Sequence, residues 1–197
     1  ANLFSAIGYK VAREFYVNDV GNQIQLFAES ILARALQTLG ETVEVPEEGY
    51  QGEYVVHLAK ELLEERGVAS FRGPREKALA DLETRGVKKM VMAQKQVLSL
   101  FGVQFDRWFF QSELLKDKRI EKALKKMKSS PSPLVGGGLQ SPAGGGGRGC
   151  LYESEGAMFF RSTDLGDDKD RVVKKSDGEY SYFASDIAYH DDKLNRK

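Results

Sequence analysis

Residues 10–17 read KVAREFYV, and residues 18–40 continue as NDVGNQIQLFAESILARALQTLG. The first eight are rich in β-branched and aromatic side chains, the composition of a buried strand. Asp19 then offers an N-cap. Ile24, Phe27, Ala28, Ile31, Ala35 and Leu39 follow at spacings of three and four, the apolar stripe of a helix that Gly40 ends. Strand, turn and amphipathic helix make half of an α/β crossover unit. The expected fold class is therefore α/β.

Residues 1–7 predict the last turns of a helix that stops at Gly8. The chain opens with Ala inside an element and shows no secretory pattern, which leads to the expectation of a fragment. Downstream the pattern is helical. Residues 53–66 place Val55, Leu58, Ala59 and Leu62 on one face before Gly67. Pro74 suits a first helical position. The stripe Leu79, Leu82, Met90, Ala93, Val97, Phe101 carries Gly86 as a weak point. Ser112 is a candidate cap for a helix ending near Lys128, with Ile120, Leu124 and Met127 inward. Residues 129–149 are a Gly/Pro/Ser tract that buries no apolar surface and predicts a flexible linker. Beyond it, residues 158–161 and 171–174 read as strands. Asp177-Gly178 predicts a hairpin turn with a second arm over 179–183, and a helix follows. The expected domains are 1–45, a helical insertion over 46–128, a linker over 129–150, and a final part over 151–197.

The chain has 197 residues with 29 basic and 29 acidic side chains, so its formal charge is zero. No apolar run reaches the roughly 18 residues of a membrane span, which predicts a soluble protein. A single cysteine, Cys150, excludes an internal disulfide and a multi-Cys zinc site. The zero hides a segregation. Residues 14–65 carry a net −9 and residues 66–128 a net +9. Screening makes the local field the relevant one. The basic block reads either as solvated helix faces or as a surface for an anion such as RNA.

Most chemical motifs dissolve on inspection. The glycine tract lacks GxxxxGK[ST]. Asp164, Asp167, Asp168 and Asp170 lack EF-hand spacing and are interleaved with Lys169 and Arg171, which predicts a salt-bridged turn and no metal. His57 and His190 have no evident co-ligands. Tyr182 and Asp186 are four apart where strand becomes helix. A carboxylate matches a guanidinium through paired charge-assisted bonds, and a phenol adds an acceptor or a stacking face. A helix cap with a core Tyr is the plainer reading of this pair. Asn18, Asp19, Gly21 and Gln23 form a polar cluster at a strand end, where α/β sheets bind ligands; N-capping by Asp19 is the plainer alternative.

Four blocks in order carry a family resemblance: GYKVAREFYVNDVGNQIQLFAESILAR with EGYQGEYVVHLAKELLEERG, then FGVQFDRWFFQSELL, then LYESEGAMFFRSTDLGDDKDRVVKKSDGEYSYFASDIAYHDDKLNR. They resemble arginyl-tRNA synthetase, a class I aminoacyl-tRNA synthetase. The resemblance implies part of a Rossmann-like catalytic domain interrupted by a mostly helical insertion. It implies ATP with magnesium as cosubstrate, arginine and tRNA as partners, a monomer, and a cytoplasmic enzyme. The family's YxxxD residues, which hold the substrate guanidinium, fall on Tyr182 and Asp186. Its YVNDxGxQ positions fall on Asn18, Asp19, Gly21 and Gln23 at the pocket edge. Lys118, Arg119, Lys122, Lys125 and Lys126 become candidate tRNA-facing cations. The family's HIGH and KMSKS motifs are absent from these 197 residues, and Lys126-Met127-Lys128-Ser129-Ser130 has the wrong order. No catalytic residue is therefore assigned. The isolated stretch is expected to be inactive in ATP–pyrophosphate exchange, because those motifs stabilise the charge on the α-phosphate. Exchange above that of a Tyr182→Phe, Asp186→Ala control would contradict this. A free-standing RNA-binding module and an inert gene fragment are the alternatives.

Overall fold

The computed structural model describes residues 1–129 and 149–196. The chain divides into two compact units, Ala1–Gln111 and Ser112–Lys197. The expected linker falls mainly on residues 130–148, outside the described residues.

The first unit contains α1 (Asn2–Ala6), β1 (Glu14–Val17), α2 (Asn22–Thr38), α3 (Glu53–Arg66), α4 (Arg75–Leu100) and β2 (Arg107–Phe110). β1 and β2 pair in parallel, from Glu14 opposite Arg107 to Val17 opposite Phe110. The strand is shorter than the eight residues its composition suggests. Asp106 explains the limit: its carboxylate accepts from the Arg13 backbone N–H at 2.6 Å, taking the place of a further ladder rung. α2 starts at Asn22, not beside Asp19, and no side chain caps it. Gly21 has φ +95°, and its carbonyl accepts from the N–H groups of Ile24 and Gln25. The turn thus depends on glycine's access to the left-handed region, which corrects the N-cap expected at Asp19.

α2, α3 and α4 enclose the core. Ile31, Ala28 and Ala35 of α2 meet Val55, Ala59 and Leu62 of α3 and Leu82 of α4. α3 has the bounds its apolar spacing predicts, and Gly67 follows at φ +73°. Gly86 has a role that helix propensity alone does not show. A Cβ there would lie 2.8 Å from Ile31 Cδ1 and 3.0 Å from Phe27 Cε1. The missing side chain lets α2 and α4 close on each other.

The second unit contains α5 (Ser112–Leu115), a single 3-10 turn, α6 (Arg119–Ser129), β3 (Leu151–Ser154), β4 (Ala157–Phe160), β5 (Arg171–Lys174) and α7 (Tyr182–Asn195). The continuous helix expected from Ser112 is broken at Lys118, whose φ is +53°. The break lets Leu114 and Ile120 both be fully buried, although they are six positions apart and a straight helix would turn them to different faces. β3, β4 and β5 form an antiparallel sheet. α7 packs on β5 and on α6. Val173, Ala184, Ala188 and Tyr189 are buried there.

Among the described residues, then, the architecture is mixed α/β with one small parallel and one small antiparallel sheet. No described helix is long and apolar enough to cross a membrane.

Candidate functional site

α7 presents the first candidate site. A turn forms at Asp177-Gly178, but over the three residues 176–178 and not the two that the dipeptide predicts: Gly178 has φ +91° while Asp177 keeps a negative φ, and Lys175 N–H donates to Glu179 O at 2.8 Å. The second arm of the hairpin is shorter than expected. It makes one bridge, Lys174 opposite Tyr180, and then α7 begins. Ser181 sets that switch. Its hydroxyl donates to Val172 O at 2.6 Å and accepts from Ala184 N–H at 3.3 Å. One side chain therefore ties the helix start to β5 and satisfies an orphan N–H.

Tyr182 is the first residue of α7 and is 61% exposed. Asp186 is also exposed, and Ala184, Ser185 and Ala188 between and beyond them are buried. Phenol and carboxylate thus share one open face, about one turn apart. This corrects the plainer reading, in which Tyr182 packs in the core. Asp186 has no hydrogen-bond or ion-pair partner among the described residues. An exposed carboxylate about one helical turn from an exposed phenol is an arrangement that can receive a planar cation.

In the first unit, Asn18 and Gln23 are exposed at the turn between β1 and α2. They edge two different cavities. Asn18 belongs to a cavity of about 400 Å³ that Phe15, Tyr16, Phe27, Tyr50 and Tyr54 also line. Gln23 belongs to one of about 260 Å³, with Asn22, Leu26, Glu48, Gly49 and Tyr50. Gly21 contributes the turn and Asp19 lies half-buried beside it. Burial, with Tyr50 close by, pushes the Tyr54 phenol above its usual pKa. Tyr50 and Tyr54 escape a reading based on motifs. Their four-residue spacing across Gly52, outside the core stripe of α3, is the signal that marks them.

The basic side chains divide. Arg119 meets Asp192 at 3.0 Å, Lys126 meets Asp191 at 2.5 Å and Lys128 meets Glu153 at 3.2 Å. Lys118 and Lys122 are exposed without such a partner among the described residues, and Lys125 is exposed on the same helix. The acidic cluster is knitted together. Arg171 binds Asp167 through Nε and Nη2 at 2.6 and 2.5 Å, which holds the Asp167 carboxyl well below the usual range. Asp170 accepts from Thr163 and from the Tyr152 hydroxyl. Burial alone would raise its pKa, but those bonds and the nearby Arg161 lower it on balance. Among the described residues no group of three or more His, Cys, Asp or Glu side chains is arranged to hold a metal ion. His57 and His190 are both exposed.

No protein-family model matches the chain. Individual proteins do. The arginine–tRNA ligase of Syntrophotalea carbinolica is 40% identical over 196 residues, covering 100% of this chain and 32% of that protein. That of Shouchella clausii is 39% identical with the same coverage. A solved Campylobacter jejuni structure assigned to arginyl-tRNA synthetase superposes with a TM-score of 0.79 at 34% identity, covering 98% of this chain and 38% of that one. The Thermus thermophilus arginyl-tRNA synthetase shares the fold, with a TM-score of 0.58 at 22% identity over 96% of this chain and 30% of that one. The chain spans about a third of the length of the curated relatives it matches. It is a region related to arginyl-tRNA synthetase along its entire length, corresponding to about one third of such an enzyme.

Proposed function

We propose that this chain is part of an arginine–tRNA ligase and that α7 supplies its guanidinium receptor. The supporting observation is the exposed, unpartnered Asp186 one turn from the exposed Tyr182 on a helix start fixed by Ser181. A carboxylate takes a guanidinium fork through two parallel bonds, and the Lys ammonium cannot reproduce that geometry. The uncharged urea group of citrulline lacks the Coulombic component. Tyr182 flanks the receptor as an acceptor or a stacking face.

The reaction has two steps. The arginine carboxylate attacks the α-phosphorus of ATP, forming arginyl-adenylate and expelling pyrophosphate. A hydroxyl of the terminal ribose of tRNA then attacks the acyl carbon, and AMP leaves. The role of α7 is to bind and orient arginine in both steps, so that its carboxylate meets the phosphate in a near-attack geometry. Asn18, Asp19, Gly21 and Gln23 form the pocket edge in this reading. They belong to a catalytic domain of class I type, with residues 46–128 as its helical insertion. Magnesium accompanies ATP. Lys118, Lys122 and Lys125 face tRNA, while Arg119 and Lys126 are engaged by Asp192 and Asp191. The enzyme acts as a monomer in the cytoplasm.

The test is tRNA charging by the protein that carries this chain, with each amino acid supplied in turn. Attachment of arginine, with lysine and citrulline rejected, is the expected result. Charging by another amino acid, or none with arginine, contradicts the proposal.

A further inference from the structure

Asp186 and Asp192 both belong to α7. Six residues apart, they lie about 9 Å from each other along the helix axis and about 120° around it. The two carboxylates therefore serve different faces. Asp186 is exposed. Asp192 follows Ser185, Ala188 and Tyr189 along the buried face, and its side chain is only 16% exposed. It takes two guanidinium groups. Arg119, the first residue of α6, donates through Nη1 to Oδ1 at 3.0 Å. Arg196 Nε stands 2.9 Å from Oδ2. The neighbouring Asp191 accepts from Lys126 Nζ at 2.5 Å. α6 packs on α7 and thus grips its C-terminal half at two adjacent carboxylates. At the other end Ser181 holds the first turn to β5.

We infer that Arg119 is a positioning residue for the arginine substrate: through Asp192 it fixes the rotation of α7 about its own axis, and with it the placement of the Asp186 carboxylate. The inference rests on α7 as the guanidinium receptor. A side-chain tip lies about 5–6 Å from the axis of a helix, so a rotation of about 10° carries a carboxylate about 1 Å. A paired contact with a planar fork is demanding in geometry, and a misplacement of that size costs up to about a hundredfold. The buried face of α7 offers mainly small side chains, Ala184, Ser185 and Ala188, which resist rotation weakly. A charge-assisted bond to a half-buried carboxylate resists it by direction. Lys126 does this less well, because its side chain is 61% exposed and an ammonium is a point charge without a fixed fork. Arg119 thus serves arginine binding from inside the fold.

The experiment is a double-mutant comparison in the protein that carries this chain, read as arginine-dependent ATP–pyrophosphate exchange well below the melting temperature. Arg119→Ala is expected to raise the KM for arginine about five- to thirtyfold and to leave the KM for ATP unchanged. In an Asp186→Asn background the same substitution is expected to add less than about twofold, because no carboxylate fork is left to misplace. Asp192→Asn, which keeps the side-chain shape and one acceptor, is expected to raise the arginine KM in the same direction at a smaller cost in stability. The salt dependence of tRNA binding is expected to match the parent in Arg119→Ala. An arginine KM unchanged in Arg119→Ala but raised in Asp186→Asn overturns this inference and leaves the receptor standing. An equal further rise in the Asp186→Asn background overturns it too, since general loss of structure adds to any other defect. A shallower salt slope assigns Arg119 to RNA and also overturns it. An arginine KM unchanged in Asp186→Asn removes the receptor itself, and this inference with it.

Discussion

Ser181 joins local sequence to site geometry. Its hydroxyl holds β5 and the first turn of α7 together, and the next residue is Tyr182. Ser181→Ala is expected to cost about 1 kcal/mol, the usual worth of an N-cap, read as a lower urea midpoint at unchanged slope. Ser181→Asp restores the cap and most of the loss. A variant as stable as the parent contradicts this role. At this scale much was legible. The four-residue spacing of Tyr182 and Asp186 predicts that they share one face of α7, and both are exposed. The cap of α2 was not legible at Asp19. A Gly at φ +95° can start a helix through its backbone alone, and residue preference does not distinguish that from a side-chain cap.

Elements were legible where periodicity is strong and hidden where tertiary contact decides. The limits of α3 follow from its stripe and from Gly67. The break at Lys118 does not, because it comes from burying Leu114 and Ile120 together. Gly86 reads as a weak point in a helix, yet a Cβ there would press on Ile31 and Phe27 of α2. Gly86→Val is expected to destabilise the first unit by about 2–3 kcal/mol through overpacking against Ile31 and Phe27, measured by chemical denaturation. An unchanged midpoint contradicts close packing there. The turn between β4 and β5 predicts a pH dependence. Arg171 holds Asp167, and Thr163 and Tyr152 hold Asp170, as carboxylates. Their folded pKa values lie below the unfolded ones. The stability they give is therefore present above the unfolded pKa of about 4 and is lost as pH falls below it. Melting temperature is expected to drop below pH ~4 less steeply in Asp170→Asn than in the parent. Parallel pH profiles contradict this.

For the whole molecule, the charge segregation acquires a structural meaning. Acidic side chains of the −9 block meet basic ones of the +9 block: Glu41 with Arg72, Glu61 and Glu65 with Lys89, Glu14 with Arg107. Part of the basic block is therefore paired within the chain, which a linear charge count does not show. Such exposed pairs are each worth little in stability. Lys118 and Lys122 are exposed and make no such pair among the described residues, and the proposed tRNA contact draws on them. Lys122→Ala is expected to reduce the salt dependence of tRNA binding by about one phosphate contact, measured by titration over a range of salt concentrations, and Arg119→Ala to act on folding through Asp192. Equal salt slopes for Lys122→Ala and the parent contradict this. The central claim is that Asp186 receives the substrate guanidinium. The most direct test is arginine-dependent ATP–pyrophosphate exchange by the protein that carries this chain, comparing Asp186→Asn with the parent. The arginine KM is expected to rise about 30- to 1,000-fold, some 2–4 kcal/mol, with the KM for ATP unchanged. An unchanged arginine KM would contradict it.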